Sequence, residues 1–236
     1  MSDPDPWPPT VRVPWDKTYR IIRSIFPPID LFEDIADPAD WEAVASAEAK
    51  LNPRATPNHG DLAKVPVERR VSGPGASLVM APFVHCSRRW PSRFSRGDYG
   101  LYYAGDSEEV AIAETAHHHA RTMAATNEAP GWTSQFRVLV GQIDAELHDV
   151  KEAPGVLDPD DYFTAQDLSE ALRSAGSHGV VYPSVRHGTG SCIGIFWPDV
   201  AGIPVQGNHY DYHWNGNRVD YIRRHSDPPK LFELTP

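Results

Sequence analysis

The sequence predicts a single α+β domain. Strand-like and helix-like segments are mixed along the chain without the regular alternation of a doubly wound parallel sheet. A length of 236 residues is enough for one domain with its own core. Hydrophobic residues make up 40% of the chain and charged residues 23%, which is typical of a globular protein and not of a disordered one.

The start of the chain is expected to lie outside that domain. Residues 1–15 are dense in proline and aspartate, which disfavours helix and strand and predicts an extended tail. Residues 16–236 are then expected to form the single domain. Within it, residues 19–26 predict a strand or a short helix, whereas the proline-interrupted segment 52–80 has no pattern that assigns it.

Three helices are predicted from their start and stop signals. The first is DPADWEAVASAEAKL, with Asp37 as N-cap and Pro38 at the first helical position. The second begins at a capping box formed by Asp106 and Glu109. The third is TAQDLSEALRSAG, which Gly176 is placed to end.

Strands are predicted where short apolar or alternating segments are bounded by glycine or proline. They are LYYA, SQFRVLVGQI, GVVYPS, SCIGIFWP, and the pair HYDYHW and RVDYIR, which flank the hairpin signal NGN. Tyr210, Tyr212 and Trp214 share one side of their strand. This pattern favours a packed sheet face, with a base-stacking or partner surface as the alternative.

Charge and cysteine usage limit the partners and the compartment. A formal net charge of −10 disfavours direct nucleic-acid binding, and the basic stretch 87–96 suits a small phosphorylated ligand equally well. Cys86 and Cys192 have no metal-binding spacing and are expected to be reduced thiols. Neither a secretory signal pattern nor an apolar run of about 20 residues is present. We therefore expect a cytoplasmic protein without membrane contact.

The most informative part of the chain is PSRFSRGDYGLYYAGDSEEVAIAETAHHH. It places Arg93, Tyr102, Tyr103 and Glu114 within one predicted loop, strand and helix. An arginine binds phosphate oxygens bidentately, an aromatic ring stacks on a flat base, and a carboxylate stabilises positive charge that develops on a sugar. This combination of residue types suits cleavage of a charged nucleotide.

The motifs RF, LYYA, the glutamate of AIAE, GVVYPSVR and CIGIFWP, in this order, resemble the RES-domain family. That family is named for its arginine, glutamate and serine, and its members are toxins of bacterial toxin–antitoxin pairs. The resemblance implies an ADP-ribosyltransferase-like split β-sheet core with flanking helices. It also implies consumption of NAD, by hydrolysis or by phosphate attack, and an Xre-type helix-turn-helix antitoxin as partner.

Carried over by motif, the resemblance implies the catalytic residues Glu114, Arg93 and Ser184. Tyr103 is the better match for the family tyrosine, with its neighbour Tyr102 as the alternative. Two arginines are further candidates for the binding pocket: Arg23 in YRIIRS, which matches an N-terminal site arginine, and Arg186, which lies beside the serine in sequence.

The chemistry of NAD cleavage assigns a role to each of these groups. Loss of neutral nicotinamide leaves an oxocarbenium-like ribose, as in glycoside hydrolysis, so Glu114 is expected to bind the ribose hydroxyls and stabilise that cation. A preorganised group of this kind is worth roughly 3–4 kcal/mol. Arg93 would hold a phosphate and Tyr103 would stack near nicotinamide. Ser184 is expected to orient the carboxylate or the ribose, because nothing near it in sequence marks an activated nucleophile.

Other interpretations stay open at this point. The same pocket could transfer ADP-ribose to a protein, or the polar set could belong to a binding module without catalysis. His117, His118 and His119 suggest a metal, but consecutive helical residues point in different directions and no HExxH motif is present, so no metal is expected. The glycines of HGTGSCIG lie between two predicted strands, which favours a hairpin over a phosphate-binding loop.

Overall fold

The computed structural model of the protein describes residues 7–25, 37–51, 60–226 and 230–234. Within these ranges, four α-helices and one eight-stranded sheet confirm the predicted α+β class. The strands are β1 (Thr10–Arg23), β2 (Tyr102–Gly105), β3 (Trp132–Asp149), β4 (Gly179–Pro183), β5 (Ser191–Ile195), β6 (Val205–Trp214), β7 (Val219–Arg224) and β8 (Lys230–Glu233). The helices are α1 (Trp41–Leu51), α2 (Ala76–Val84), α3 (Glu108–Thr126) and α4 (Phe163–Ser174).

The long strand β3 organises the sheet. It pairs antiparallel with β1 along most of its length, antiparallel with β6 through its first half, and parallel with β4 at its last two residues. The strand β1 also meets β2, and β2 and β4 both pair with β5. The strands β1, β2, β5, β4 and β3 therefore form a closed circuit of pairings, while β6, β7 and β8 continue the sheet outward.

The predicted tail is wrong from Thr10 onward, because residues 10–15 form the first part of β1 and pair with β3. The apolar side chain of Val13 is buried there. Pro14 is tolerated because β1 has only β3 as a neighbour along this stretch, and an edge position does not require an N–H donor on both sides. Residues 1–6 lie outside the described residues.

The start of α3, which carries Glu114, differs from the capping box we predicted. Ser107 is the N-cap, and its side chain accepts a hydrogen bond from the backbone N–H of Val110. Asp106 instead accepts a hydrogen bond from the backbone N–H of Ser191 at 2.7 Å, which ties the end of β2 to β5. The Asp106 carboxylate thus binds Ser191, which is distant in sequence, and does not cap α3 as predicted.

The other local predictions vary in accuracy. The helix α1 starts at Trp41, three residues after the expected position, because Asp37 closes a turn by accepting a hydrogen bond from the N–H of Ala39. Within the unassigned segment 52–80, the structure has two short 3-10 helices and the beginning of α2, whereas residues 52–59 lie outside the described part.

Most strand predictions are confirmed, including the hairpin of β6 and β7 around NGN. Tyr210, Tyr212 and Trp214 are fully buried, which confirms a packed sheet face. Tyr210 and Tyr212 pack in one hydrophobic cluster with Ile112 and Ala116 of α3, so the outer sheet supports the helix that carries Glu114.

Candidate functional site

A cavity of about 310 Å³ lies between β1, β2, α3 and the segments that precede β2 and α4. Its wall includes four of the residues proposed from sequence, namely Arg93, Tyr103, Glu114 and Arg186. Residues more than 90 positions apart in the chain therefore meet at one surface.

Glu114 is held by the hairpin of β4 and β5. Its Oε1 accepts a hydrogen bond of 2.7 Å from the Oγ of Ser184, and the Sγ of Cys192 lies 3.9 Å from the same oxygen. The Ser184 hydroxyl in turn accepts backbone N–H groups of Arg186 and His187, at 3.3 and 3.0 Å. A hydroxyl has one proton to donate and two lone pairs that accept, so every hydrogen-bonding position of the Ser184 hydroxyl is occupied. The two N–H groups hold the hydroxyl, and the hydroxyl holds the carboxylate.

The turn between β4 and β5 explains how Ser184 reaches this position. The backbone N–H of Ser184 donates to the carbonyl of Gly190 at 3.0 Å, and Gly190 has a φ of +101°. A side chain at Gly190 would meet Val110 and Asp106 at less than 3 Å. The glycines of HGTGSCIG therefore serve a tight hairpin turn against α3, as the sequence favoured.

The two neighbouring tyrosines of β2 have different surroundings. Tyr103 lines the cavity, and its hydroxyl accepts the N–H of Phe94 at 3.1 Å and lies 2.9 Å from the Oγ of Ser92. Burial raises the pKa of Tyr103, so the phenol stays protonated and able to donate. Tyr102 is buried in the core cluster beside β5 and is absent from the cavity wall, because successive strand residues face opposite sides. The candidate Tyr102 is thus wrong as a pocket residue.

Arg20 lines this cavity, whereas the predicted Arg23 is not part of its wall. The Nη1 of Arg20 donates to the carbonyl of Tyr103 at 3.1 Å. The guanidinium of Arg23 lies 5.9 Å from the ring centroid of Phe136, within the packing of α3 on the sheet. Side chains alternate between the two faces of a strand, so Arg20 and Arg23, which are three residues apart, point to opposite faces of β1.

Arg93 and Arg186 both bind the backbone of the segment that precedes α4. The Nη1 of Arg93 donates to the carbonyls of Val156 and Asp158, at 3.2 and 2.5 Å. The Nη2 of Arg186 donates to the carbonyl of Pro159 at 2.6 Å. Although Arg93 is only 9% exposed, it still contributes to the cavity wall.

The family of the chain follows from comparison with known proteins. The RES domain matches residues 67–215, well over half of the chain. The chain belongs to the RES-domain family. The match includes Arg93, Tyr103, Glu114 and Ser184, whereas Arg20 lies before it.

One relative and one solved structure are similar to this RES-domain protein. The relative is an uncharacterized protein, y4oC, of Sinorhizobium fredii, which is 26% identical over 212 residues, covering 90% of this chain and 89% of the relative. The structure is the MbcT–MbcA toxin–antitoxin complex of M. tuberculosis, at 16% identity, with 53% of this chain and 74% of that chain covered. Its TM-score of 0.39 is too low to support an argument about function.

Three guanidinium groups and one carboxylate give the RES-domain cavity a local excess of positive charge. Arg20, Arg93 and Arg186 line it together with Glu114, in a chain whose overall charge is −10. Such a site attracts a ligand with several phosphate oxygens, and the single carboxylate marks the point where positive charge is favoured.

The three consecutive histidines of α3 have separate environments. His118 lines the cavity, and His119 is buried on the other side of the helix, with its ring centroid 5.0 Å from that of Phe136. Burial first, and Arg186 second, lower the pKa of His117 to about 4. Across the described ranges, no group of three or more His, Cys, Asp and Glu side chains is arranged to hold a metal ion.

Two further observations concern the thiols and the helices. Cys86 and Cys192 are both free thiols, and burial followed by the charge of Glu114 raises the pKa of Cys192. Among the helices in the described residues, none has the length and apolar character needed to cross a bilayer.

Proposed function

We propose that this RES-domain protein is a bacterial toxin that cleaves the bond between nicotinamide and ribose in NAD. The observation that carries the proposal is the carboxylate of Glu114, fixed by Ser184 on the wall of a cavity that also presents Arg20, Arg93 and Tyr103. The arginines match the diphosphate of NAD and the carboxylate matches the positive charge that develops on its ribose, and membership of the RES-domain family supports the same interpretation.

The reaction uses few protein groups. As the bond from ribose C1 to the nicotinamide nitrogen breaks, its electron pair moves to the nicotinamide ring, which leaves as a neutral base. The ribose then carries the positive charge, and Glu114 stabilises it. The oxygen of water or of inorganic phosphate forms the new bond to C1, and any proton released goes to solvent. Arg20 and Arg93 would hold the diphosphate, and Tyr103 would lie against nicotinamide.

Ser184 has an orienting role in this proposal. Because its proton is donated to Glu114 and both lone pairs accept N–H groups, the hydroxyl is not poised to attack the substrate. Because the Glu114 carboxylate is already fixed, it does not have to reorient as positive charge develops on the ribose. This is electrostatic preorganisation.

An ADP-ribosyltransferase that modifies a protein is the second candidate. Transferases of this type often place a second acidic residue two positions before the catalytic glutamate to guide the acceptor. That position is Ile112 here, and its side chain is buried against the sheet. The absence of an acidic group at this position favours a small acceptor, water or phosphate.

In the cell, we expect the toxin to act in the cytoplasm and to be neutralised by an Xre-type antitoxin. A small acceptor also means that no macromolecular substrate is needed for toxicity. Depletion of NAD would then precede growth arrest when the toxin is produced alone.

Product identification tests the proposal. The purified full-length protein is incubated with NAD, with and without inorganic phosphate, and the products are identified by mass spectrometry. ADP-ribose indicates water as acceptor, ADP-ribose 1″-phosphate indicates phosphate, and labelled protein in a lysate indicates transfer. Intact NAD with folded, antitoxin-free protein would overturn the proposal.

A matched pair of variants separates catalysis from binding. Glu114→Gln is expected to abolish nicotinamide release while the protein stays folded, because the residue lies on a half-buried helix face. Glu109→Gln changes an exposed carboxylate on the same helix and should keep full activity. A binding module without catalysis predicts instead that Glu114→Gln leaves cellular toxicity unchanged.

A further inference from the structure

Tyr162 brings to the cavity an aromatic ring that no motif indicated. It precedes α4, is half-buried, and lines the same cavity as Glu114. The guanidinium of Arg93 lies 4.5 Å from the centroid of its ring. A cation over one ring face is attracted by the ring's quadrupole and limits how the ring can turn.

The position of this ring is fixed from both sides. Arg93 is itself anchored by the carbonyls of Val156 and Asp158, which belong to the segment that leads into Tyr162. The amide of Gln166 in α4 donates to the carbonyl of Ser92 at 2.8 Å, which ties the helix to the loop of Arg93. The ring is therefore preorganised, so a ligand would not have to order it.

The next residue provides an internal contrast. Phe163 also has an arginine over its ring, Arg96 at 5.1 Å, but it is 62% exposed and is not part of the cavity wall. Tyr162 and Phe163 therefore share the same local chemistry and differ in whether they face the cavity.

We propose that Tyr162 is the stacking surface for the adenine ring of NAD, an assignment that rests on the proposed function. The cavity, at about 310 Å³, is near the lower end of small-molecule sites, so a dinucleotide must extend along its wall and not lie folded within it. Glu114 marks the nicotinamide ribose, and Arg93 marks the diphosphate. Tyr162 lies against Arg93, and the segment 156–159 that leads to it binds both Arg93 and Arg186. A ring in contact with the group assigned to the diphosphate is placed to receive the base of the adenosine half.

Tyr103 is a second ring on the same wall. Its carbonyl accepts a hydrogen bond from Arg20 of β1, and its hydroxyl contacts Ser92 and Phe94. With Tyr162 assigned to adenine, Tyr103 is the ring assigned to nicotinamide, so each flat base of the dinucleotide has an aromatic partner. Stacking on an aromatic ring is tolerant of base identity, so Tyr162 contributes affinity for the adenine half and not recognition of its edge.

The test measures the affinity of the full-length protein for ADP-ribose by calorimetry. ADP-ribose carries adenine and no nicotinamide. Tyr162→Ala is expected to weaken the affinity about tenfold, a typical loss for one base stack. Tyr162→Phe keeps the ring and should bind within about twofold of the original protein. Phe163→Ala is the matched control and should bind ADP-ribose unchanged. Circular dichroism confirms that each variant is folded.

Nicotinamide mononucleotide serves as the counter-probe, titrated into Glu114→Gln protein so that no turnover occurs. Its affinity should be the same with and without Tyr162→Ala. An equal loss for both ligands would place Tyr162 at the nicotinamide end and overturn the assignment, as would unchanged ADP-ribose binding. These titrations need no cleavage, so NAD that stays intact would refute the proposed function separately from the stacking role.

Discussion

The Oγ of Ser184 donates a hydrogen bond to the Oε1 of Glu114 across 70 positions of sequence. This contact joins the β4–β5 hairpin to α3 at the cavity wall. The carboxylate depends on the hairpin for its orientation, and the hairpin turn packs against α3 through Gly190. The two elements therefore support the site as a unit.

Loss of the Ser184 hydroxyl should slow catalysis more than it weakens binding. We expect Ser184→Ala to lower kcat for NAD cleavage by about tenfold to a hundredfold, with little change in KM, because the carboxylate loses its fixed orientation. Steady-state kinetics measure the split. Ser177→Ala is the control, since the Ser177 hydroxyl contacts only the backbone of Gly179. A pure rise in KM for Ser184→Ala would contradict the orienting role.

The two arginines of β1 allow a paired test of which face holds the substrate. Arg20→Met should raise KM for NAD at least tenfold, because a charge-assisted contact to phosphate is removed from a shielded site. Arg23→Met lies on the opposite face and should keep KM within about twofold. Both variants are assayed for nicotinamide release. The reverse order of effects would mean that the site arginine is Arg23, as the sequence suggested.

The turn beside Ser184 should not tolerate a side chain at Gly190. Gly190→Ala places a Cβ 2.5 Å from Val110 at a φ of +101°, so we expect a loss of about 2 kcal/mol in the free energy of unfolding. Gly188→Ala, in the same turn, has no atom within 4 Å of its Cβ and should change that free energy by less than about 0.5 kcal/mol. Urea denaturation compares the two. Equal stabilities would show that the turn can relax.

Buried His119 should make stability depend on pH. Burial, and then the charge of Arg23, lower the pKa of His119 to about 4 from an ordinary value of about 6.5. The unfolded chain therefore binds a proton between these values and the folded chain does not, so stability falls as pH drops from about 6.5 to about 4. The contribution approaches roughly 3 kcal/mol.

Denaturation at neutral pH and at pH 5 measures this dependence. The variant His119→Leu should lose part of the pH dependence, while His178→Gln, at an exposed position, should keep all of it. If His119→Leu shows the full pH dependence of the original protein, the titrating group lies elsewhere.

Local signals predicted the elements around the site well. The short strands were predicted from the glycines on either side of LYYA, from the apolar run SCIGIFWP and from the NGN turn. Each of these signals acts on the backbone through a few neighbouring residues. The residues Arg93, Tyr103, Glu114 and Ser184 were indicated by the order of motifs, and the structure brings them together. The distances between these side chains depend on contacts between segments that are far apart in the chain. The sequence around each residue does not predict those contacts.

The errors have a common physical origin. The choice between Arg20 and Arg23 depends on the register of β1 against β3, where a slip of one residue exchanges the two faces. The tail prediction failed for the same reason, since only pairing with β3 makes residues 10–15 a strand. Tyr162 had no motif around it, and the residues of β1 alone do not show which of the two arginines faces the cavity.

The strand β1 pairs with residues 136–148 of β3 along most of its length, whereas its pairing with β2 is limited to Tyr19 and Gly105. During synthesis, β1 therefore lacks its main partner until more than half of the 236 residues have been made. Arg20 is not held at the cavity wall before that pairing forms. If the proposed function holds, a nascent chain is inactive until β4 and β5 have also been made, because both are needed to close the circuit of strands. Stalled chains that end before β3 should release no nicotinamide, whereas full-length chains tethered by a long linker should.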